Sequence, residues 1–377
     1  MSATWDIFCK VVDNFGDIGV TWRLARQLAD EHALSVRLWV DDPRAFGRLC
    51  PRADVTAAVQ HLEGVTVCRW EDTWPATDTA DVVIAAFGCR LPPAYLDALS
   101  ARPVSALLIN LEYLSAEPWV EGCHGLWSPQ GNGLRMLFFF PGFTAKTGGL
   151  LREATLLTRR QALQDEASVR EAFLARLGIH PAPGARLLSL FAYENPQVGN
   201  WLTTLAEDAQ PSHLLVPEGR VIGDVQAWLG ASIPEAGQLV VRGSLTLQVL
   251  PFLSQDDYDR LLWSCDFNAV RGEDSFVRAQ WAARPLLWHI YVQEEQAHLD
   301  KLEAFLAQYL EEAPAPLAEA VANLWRAWNI NQDMGQAWRQ LSPHWDAWRA
   351  HARQWSAAQA ARPDLAMALV QFYRNWL

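Results

Sequence analysis

Two aspartates stand in one short turn near the start of the chain, within the stretch VVDNFGDIGVTWRLARQL at 11–28. Asp13 and Asp17 flank an Asn-Phe-Gly turn, where the pattern predicts a strand over 4–12 and a helix over 18–31. In open α/β sheets, ligands bind outside the carboxyl ends of the strands. Carboxylates there can orient a cationic group and accept a proton. They can also merely cap the helix and favour its positive end, so a structural role stays open.

The same turn does not have the pattern of a dinucleotide site. Gly16 and Gly19 permit a tight turn, but the order of residues is not G-x-G-x-x-G. Asp13 and Asn14 occupy the place of the first glycine pair, and two carboxylates would repel a pyrophosphate. An NAD-dependent oxidoreductase is therefore disfavoured.

A second strand end, in VRGEDSFVRAQW at 270–281, has the composition of an anion site. Arg271 precedes a glycine turn, and Glu273, Asp274 and Ser275 open the next predicted helix. The backbone N–H groups of that helix start, its dipole and Arg271 would hold a phosphate without a metal ion. Ser275 can donate to a phosphate oxygen or cap the helix, and Asp274 can hold a sugar hydroxyl or cap it. Capping alone remains the alternative.

Aromatic residues end two further predicted strands, in the segments SLFAYENP and LPFLSQDDYD. They supply Phe191, Tyr193, Phe252 and Gln255. Aromatic faces stack on bases and glutamine amides bond to base edges, so these residues predict a nucleobase pocket. The alternative is that the aromatic side chains belong to the core.

Strands alternate with helices along most of the chain, which is typical of parallel sheets wound with helices. The first series of strands is predicted at 4–12, 34–43, 65–70, 80–88 and 104–114. A charged helix follows at 153–177. The second series is predicted at 186–193, 212–217, within 237–252 (as GQLVVRG or TLQVLPF), 266–272 and 284–291, and the remainder from 294 is mainly helical. Two such series predict an α/β fold of two Rossmann-like domains that face each other across a cleft.

The domain boundaries follow from these series. We predict an N-terminal Rossmann-like domain over 1–152, a linker helix region over 153–183 and a C-terminal Rossmann-like domain over 184–355. A C-terminal helix at 356–377 is predicted to pack back on the N-terminal domain.

Composition narrows the possible partners. The 377 residues carry a net charge of −12 and contain no cluster of Lys or Arg, so a nucleic-acid partner is not expected. The start, MSATWDIFCKVV, does not resemble a signal peptide, and runs such as LRMLFFFPGF are far shorter than the roughly 20 apolar residues that span a bilayer. Cysteines and histidines lack metal-ligand spacing. We predict a cytoplasmic protein with no membrane partner and no metal site.

Tryptophan is unusually frequent, with 19 residues, many of them late in the chain. Spacings of three and seven place neighbouring members on one helical face: Trp325, Trp328, Trp338, Trp345, Trp348, Trp355 and Trp376. The simplest interpretation is packing of helix against helix. A sugar-stacking platform is the alternative, and it would need exposed rings.

Four segments together resemble the bacterial protein-arginine rhamnosyltransferases (EarP) that modify elongation factor P: IFCKVVDNFGDIGVTWRLARQL, FFFPGFTAKTGGLLRE, SLFAYEN and RGEDSFVRAQWA. The similarity runs nearly end to end. It implies a GT-B fold and a metal-independent enzyme without cofactor. It further implies that rhamnose passes from dTDP-β-L-rhamnose, with inversion, to an arginine of elongation factor P, which activates that factor.

The resemblance also implies roles for particular residues. Asp13, Asp17 and Glu273 would be the essential acids. Because a guanidinium must lose a proton as the C–N bond forms, we predict that Asp17 is the base and that the other two orient the guanidinium. The N-terminal half would bind the acceptor and the C-terminal half the nucleotide. Donor-binding residues would be Asn14, Phe15, Gly16, Phe191, Tyr193, Phe252, Gln255, Arg271, Asp274 and Ser275.

Two other functions stay open. The same GT-B fold could transfer a sugar to a small-molecule or lipid-linked acceptor. A non-catalytic nucleotide-binding protein is the other, but it would have little use for three acids beside a diphosphate.

Overall fold

The structure, a computed structural model, describes residues 3–12, 15–71, 74, 77–230 and 236–376. They form two compact units. Thr155–Ala358 make up the second unit, and the described residues before and after it make up the first. Each unit is a mainly parallel sheet with helices, which confirms the predicted α/β class with two Rossmann-like units.

The described part of the first unit contains one eight-stranded sheet. Its strands are β1 (Thr4–Cys9), β2 (Ser35–Val40), β3 (Val59–Leu62), β4 (Val65–Arg69), β5 (Val82–Ala86), β6 (Leu107–Leu111), β7 (Trp127–Pro129) and β8 (Arg135–Phe139). Their spatial order is β3-β4-β2-β1-β5-β6-β8-β7, and only the edge strands β3 and β7 pair antiparallel. Strands β2 to β4 extend the sheet to one side of β1, and strands β5 to β8 extend it to the other side. The carboxyl ends of β1 and β5 therefore flank the topological switch point, where open α/β sheets bind ligands.

Helices cover both faces of this sheet, so its central strands are buried on both sides. The early helices are α1 (Gly16–His32), α2 (Pro43–Leu49), α3 (Pro93–Ser100) and α4 (Trp119–Cys123). Trp5 and Ile7 of β1 join one apolar cluster, whereas Phe8 points to the opposite one with Tyr95. Asp6 is buried on the same face of β1 as Phe8, and its carboxylate accepts bonds from Arg37 Nε at 2.6 Å and the Tyr95 hydroxyl at 2.5 Å.

The described part of the second unit contains a six-stranded sheet. Its strands are β9 (Arg186–Leu190), β10 (Ser212–Pro217), β11 (Leu239–Arg242), β12 (Leu245–Leu250), β13 (Phe267–Arg271) and β14 (Leu286–His289). Their order is β11-β12-β10-β9-β13-β14, with β11 alone antiparallel. The switch point lies between β9 and β13. The helices are α5 (Leu156–Asp165), α6 (Ala167–Arg176), α7 (Val198–Glu207), α8 (Ile222–Leu229), α9 (Gln255–Ser264), α10 (Asp274–Trp281), α11 (Ala297–Tyr309), α12 (Ala315–Asn329), α13 (Met334–Leu341) and α14 (Trp345–Ala360).

The late tryptophans pack inside the second unit. Trp325, Trp328, Trp338 and Trp348 are at most 2% exposed. Trp201 of α7 meets Trp328 and Trp338 edge to face, with ring centroids 5.8 and 5.4 Å apart. Rings buried in this way cannot stack on a sugar. The interpretation as helix packing is therefore confirmed for these four.

The last helix, α15 (Leu365–Trp376), belongs to the first unit. Leu365 and Leu369 join the apolar cluster that contains Trp5, and the ring of Tyr373 meets Trp5 edge to face at 5.6 Å. Gly149 has φ +73°, and a Cβ there would collide with a backbone carbonyl just before α15. The first unit thus contains residues from both ends of the described chain.

Several elements differ from the sequence prediction. The strands β3, β7 and β8 were not predicted, because β3 and β7 are short edge strands and β8 runs into a segment rich in turn residues. The single helix predicted over 153–177 is two helices, since Glu166 has the extended conformation φ −105°, ψ 100°. Within the described chain, no helix combines the length and the apolar character needed to cross a bilayer.

Candidate active site

In the first unit, Asp17 lies at the switch point, as the second residue of α1. Its side chain is 3% exposed. Oδ2 accepts a bond from the backbone N–H of Val12 at 2.8 Å, and Oδ1 accepts one from the hydroxyl of Tyr113 at 3.2 Å. The carboxylate therefore ties the loop after β1 to the end of β6. As an acid in the first turn it also suits the helix dipole, so the structural role and the catalytic role are compatible.

Of the other four residues predicted in this loop, the structure describes Phe15 and Gly16. Asp13 and Asn14 lie outside the described residues. Phe15 is the N-cap residue of α1, makes no side-chain cap bond and packs against the apolar core. Gly16 begins the helix.

An aromatic pair next to Asp17 was not found by sequence reasoning. Phe87 follows β5 and Tyr113 follows β6, and their rings stack with centroids 4.6 Å apart and planes 18° apart. Phe87 has φ +57°, which is unusual for a non-glycine residue. The strand-end argument used for Asp17 could have selected both, since they end neighbouring strands in AAFG and NLEYL.

A pocket of about 500 Å³ is lined in part by Gly88, the residue after Phe87. Its lining is mainly apolar and includes Gly88, Leu96, Leu108, Asn110 and Met136. Asn110 donates through Nδ2 to Oε1 of Glu112 at 2.5 Å. Burial raises the pKa of the Glu112 carboxyl, and the bond from Asn110 opposes this shift.

In the second unit, Ser275 closes the loop between β13 and α10. Its Oγ accepts a bond from the N–H of Arg271 at 3.1 Å and donates to the carbonyl oxygen of the same residue. Gly272 has φ +61°, and its carbonyl oxygen accepts a bond from Trp288 Nε1 at 2.8 Å. Ser275 thus fixes the turn that leads into the N terminus of α10. Helix starts of this kind favour anions.

Arg271 sits on the aromatic residues that end β9. Its guanidinium carbon lies 4.6 Å from the ring centroid of Phe191 and 4.8 Å from that of Tyr193, and the residue is 8% exposed. Tyr193 is itself buried and also meets His289 edge to face at 5.3 Å. In this structure the two rings contact the guanidinium of Arg271, and the sequence did not predict this contact.

Phe252 and Gln255 lie at the carboxyl end of β12. Phe252 is half-buried in the loop, and Gln255 begins α9 after Ser254, whose Oγ accepts a bond from Asp257 N at 3.2 Å. β12 is separated from β13 by two strands, a distance of roughly 14 Å at the usual strand spacing. The predicted residues of this unit therefore lie along the carboxyl ends of the strands, an arrangement that suits an elongated ligand.

Two further charged or titratable groups lie at this edge. Lys301 Nζ of α11 is 3.4 Å from Oε1 of Glu273, and both side chains are about one-sixth exposed. Burial, aided by the charge of Arg271, lowers the pKa of His289 to about 3, so its imidazole is neutral near pH 7. No sequence signal marks Lys301, whereas His289 could have been selected as a strand end. Asp274 is half-buried at the first position of α10.

The described residues contain no group of three His, Cys, Asp or Glu side chains that could hold a metal ion. Metal independence stays a prediction.

Comparisons with known proteins identify the family of this chain. A family model for EarP, the elongation factor P (EF-P) rhamnosyltransferase, matches residues 5–374. A protein-arginine rhamnosyltransferase of Pseudomonas putida is 64% identical over 377 residues, and one of Pseudomonas aeruginosa is 58% identical over 375; each match covers 100% of both chains.

Comparison with solved structures supports the same family and shows the fold. One that concerns EarP-mediated arginine glycosylation of translation elongation factor EF-P is 50% identical, covers 100% of both chains and has a TM-score of 0.73. MurG of Acinetobacter baumannii, at 12% identity, a TM-score of 0.53 and 100% coverage of both chains, shares the fold alone. The chain therefore has the GT-B glycosyltransferase fold and belongs to the EarP family of elongation factor P rhamnosyltransferases.

Proposed function

We propose that this protein transfers L-rhamnose from dTDP-β-L-rhamnose to an arginine side chain of elongation factor P, with inversion at the anomeric carbon, and so activates that factor. Its relatives of 64% and 58% identity are protein-arginine rhamnosyltransferases. The observation that carries the proposal is the carboxylate of Asp17, which two hydrogen-bond donors hold at the switch point of the first unit. An arginine nucleophile needs such a base.

The second unit would hold the donor. The diphosphate binds at the N terminus of α10, where Arg271 offers a planar fork of donors already oriented by two aromatic rings. Phe252 and Gln255, farther along the same sheet edge, bind the thymine. Phe191 and Tyr193 line the nucleotide and position Arg271. In this proposal the anionic leaving group is stabilised by Arg271 and the helix start alone.

The first unit would supply the base. A guanidinium stays protonated up to a pKa of about 12.5 or more, so its nitrogen attacks only as a proton is removed. The C–N bond forms as the bond from the anomeric carbon to the diphosphate oxygen breaks. The electron pair leaves with dTDP, and the proton passes to Asp17. The roles of Asp13 and Glu273, which orient the guanidinium and favour positive charge on the sugar, stay predictions.

We place this activity in the cytoplasm, where a translation factor and a nucleotide sugar are both available. The donor is the only small molecule that the proposal requires. Neither a cofactor nor a membrane has a part in it.

Mass spectrometry of purified elongation factor P tests this function. Incubation with enzyme and dTDP-β-L-rhamnose should add one deoxyhexose to one arginine, and an acceptor with that arginine changed to Lys should gain nothing. NMR of the product should show the anomeric configuration opposite to that of the donor. If dTDP is released while the acceptor protein stays unmodified, the enzyme uses another acceptor, such as a small molecule or a lipid-linked sugar.

Replacing Lys301 by Met is expected to lower kcat about 10-fold, because a half-buried Glu273 loses a charged partner, a loss of roughly 1.4 kcal/mol. Lys301→Arg should recover part of the rate. Turnover is measured on the acceptor protein at saturating donor.

The matched control is Arg326→Gln, which breaks an exposed pair at 2.6 Å between Arg326 of α12 and Glu303, a residue of α11 like Lys301. Exposed ion pairs contribute little to stability, so the kcat of Arg326→Gln should stay within about twofold of that of the parent. A Lys301→Met variant with parental turnover would show that Glu273 does not depend on this pair.

A further inference from the structure

Tyr113 is hydrogen-bonded to Asp17, the predicted catalytic base, although it lies outside the motif that contains Asp17. Its hydroxyl donates to Oδ1 of Asp17 at 3.2 Å, and the backbone N–H of Val12 donates to Oδ2 at 2.8 Å. Both oxygens of the carboxylate are therefore held, one by its own loop and one by a residue 96 positions away. A carboxylate held at both oxygens cannot rotate freely about its Cβ–Cγ bond.

The ring that carries this hydroxyl packs against a neighbouring ring. It stacks on Phe87 with 4.6 Å between ring centroids. Phe87 has φ +57°, a conformation that costs energy for a residue with a side chain and tends to occur at functional sites. The bond from Phe87 N to Leu111 O, at 2.7 Å, joins the ends of β5 and β6 beside the ring pair. Two neighbouring strand ends thus hold the hydroxyl in place.

We propose that Tyr113 is a positioning residue for the rhamnosyl transfer, whose hydroxyl holds the Asp17 carboxylate in the orientation from which it takes the proton of the acceptor arginine. The inference rests on the proposed function, in which Asp17 is the base. Tyr113 does not exchange a proton with the substrate in this scheme. A hydrogen bond to an ionised carboxylate also favours the ionised form, which is the form that acts as a base.

The other titratable groups around Asp17 do not replace this bond. Burial raises the pKa of the Cys9 thiol on β1 far above its usual range, and the charges of Asp17, Cys89 and Asp41 add to the shift. Burial likewise raises the pKa of Cys89 to about 12. Both thiols are neutral near pH 7. Asp41, which follows β2, accepts a bond from Val11 N at 2.9 Å.

Tyr113→Phe tests the proposal, because it removes the hydroxyl and keeps the ring on Phe87. We expect kcat to fall about 10- to 100-fold, the usual effect of losing a hydrogen bond to a charged group, while the donor Kd and the acceptor KM stay as in the parent. The lost bond would raise the pKa of the base. Since the base works only when deprotonated, the acidic limb of the kcat against pH curve should move to higher pH.

Tyr95→Phe is the matched control, since the Tyr95 hydroxyl bonds to buried Asp6 in the same unit at 2.5 Å. Its loss should lower the Tm but leave the acidic limb unchanged. A second variant, Phe87→Leu, keeps the hydroxyl and removes its support, so a smaller loss of kcat with the same direction of pH shift is expected. If Tyr113→Phe does not fold, the Phe87→Leu variant tests the proposal instead.

Parental kcat and an unmoved acidic limb in Tyr113→Phe would overturn the proposal, provided the parent rhamnosylates the acceptor. A parent enzyme that leaves the acceptor protein unmodified would instead overturn the proposed function. A lower kcat with no movement of the acidic limb, accompanied by a lower Tm, would assign Tyr113 a purely structural role.

Discussion

Replacing Asp17 by Asn is expected to lower kcat by about three orders of magnitude, within the range that general-base catalysis contributes. The amide has nearly the size of the carboxylate and can still accept the bond from Val12 N, so the loop should keep its shape. It cannot take the proton of the arginine. Single-turnover mass spectrometry of the acceptor protein measures the rate, and calorimetry with dTDP should show an unchanged Kd, because binding of the nucleotide is assigned to the second unit.

Asp41→Asn controls for a change in loop structure. Asp41 accepts a bond from Val11 N at 2.9 Å, one residue from the bond that Asp17 accepts, and its amide can accept the same bond. Turnover should stay within about threefold of the parent, since no proton transfer is assigned to it. Near-normal turnover in Asp17→Asn, with intact donor binding, would contradict the assignment of Asp17 as the base.

Replacing Arg271 by Met is expected to weaken dTDP binding about 10- to 100-fold, the effect of losing charge-assisted bonds worth roughly 1.5–3 kcal/mol. Methionine can fill the space beside the rings of Phe191 and Tyr193, so the aromatic residues should stay in place. Arg271→Lys should recover only part of the affinity, because an ammonium lacks the planar fork. Calorimetry with dTDP measures the change.

Thymidine, which has no phosphate, separates the two possible effects of this substitution. If Arg271 acts on the diphosphate, the variant and the parent should bind thymidine equally. Arg220→Met is the matched control, since Arg220 also lies over Tyr193, at 5.6 Å, but pairs with Glu194 and is largely exposed. A loss of thymidine affinity equal to the loss of dTDP affinity would show that Arg271 only supports the rings.

The sequence predicted the strand ends that carry the candidate site. The strand predicted at 266–272 is Phe267–Arg271, and the predicted helix that Glu273, Asp274 and Ser275 open begins at Asp274. These predictions succeed because buried parallel strands are short apolar runs bounded by turn residues, a pattern that is local in the chain. The loops that follow them could therefore be selected before the structure was known.

Contacts between distant residues could not be predicted in the same way. Tyr113 reaches Asp17 only because β1 lies beside β5 and β5 beside β6, an order that no local pattern states. Lys301 reaches Glu273 from a helix whose sequence shows only ordinary amphipathic spacing. The contact of Arg271 with Phe191 and Tyr193 was not predicted, because aromatic residues at a strand end were interpreted as a stacking surface for a nucleobase.

The place of α15 has a consequence for the newly made chain. Leu365 and Leu369 complete a core that also contains Trp5, yet they leave the ribosome after all of Thr155–Ala358. Domains generally fold as units during synthesis, with those made first folding first. Here the order is reversed: the second unit can finish folding while the first still has an uncovered apolar face on β1 and α1. That face is where we expect chaperones to bind the nascent protein.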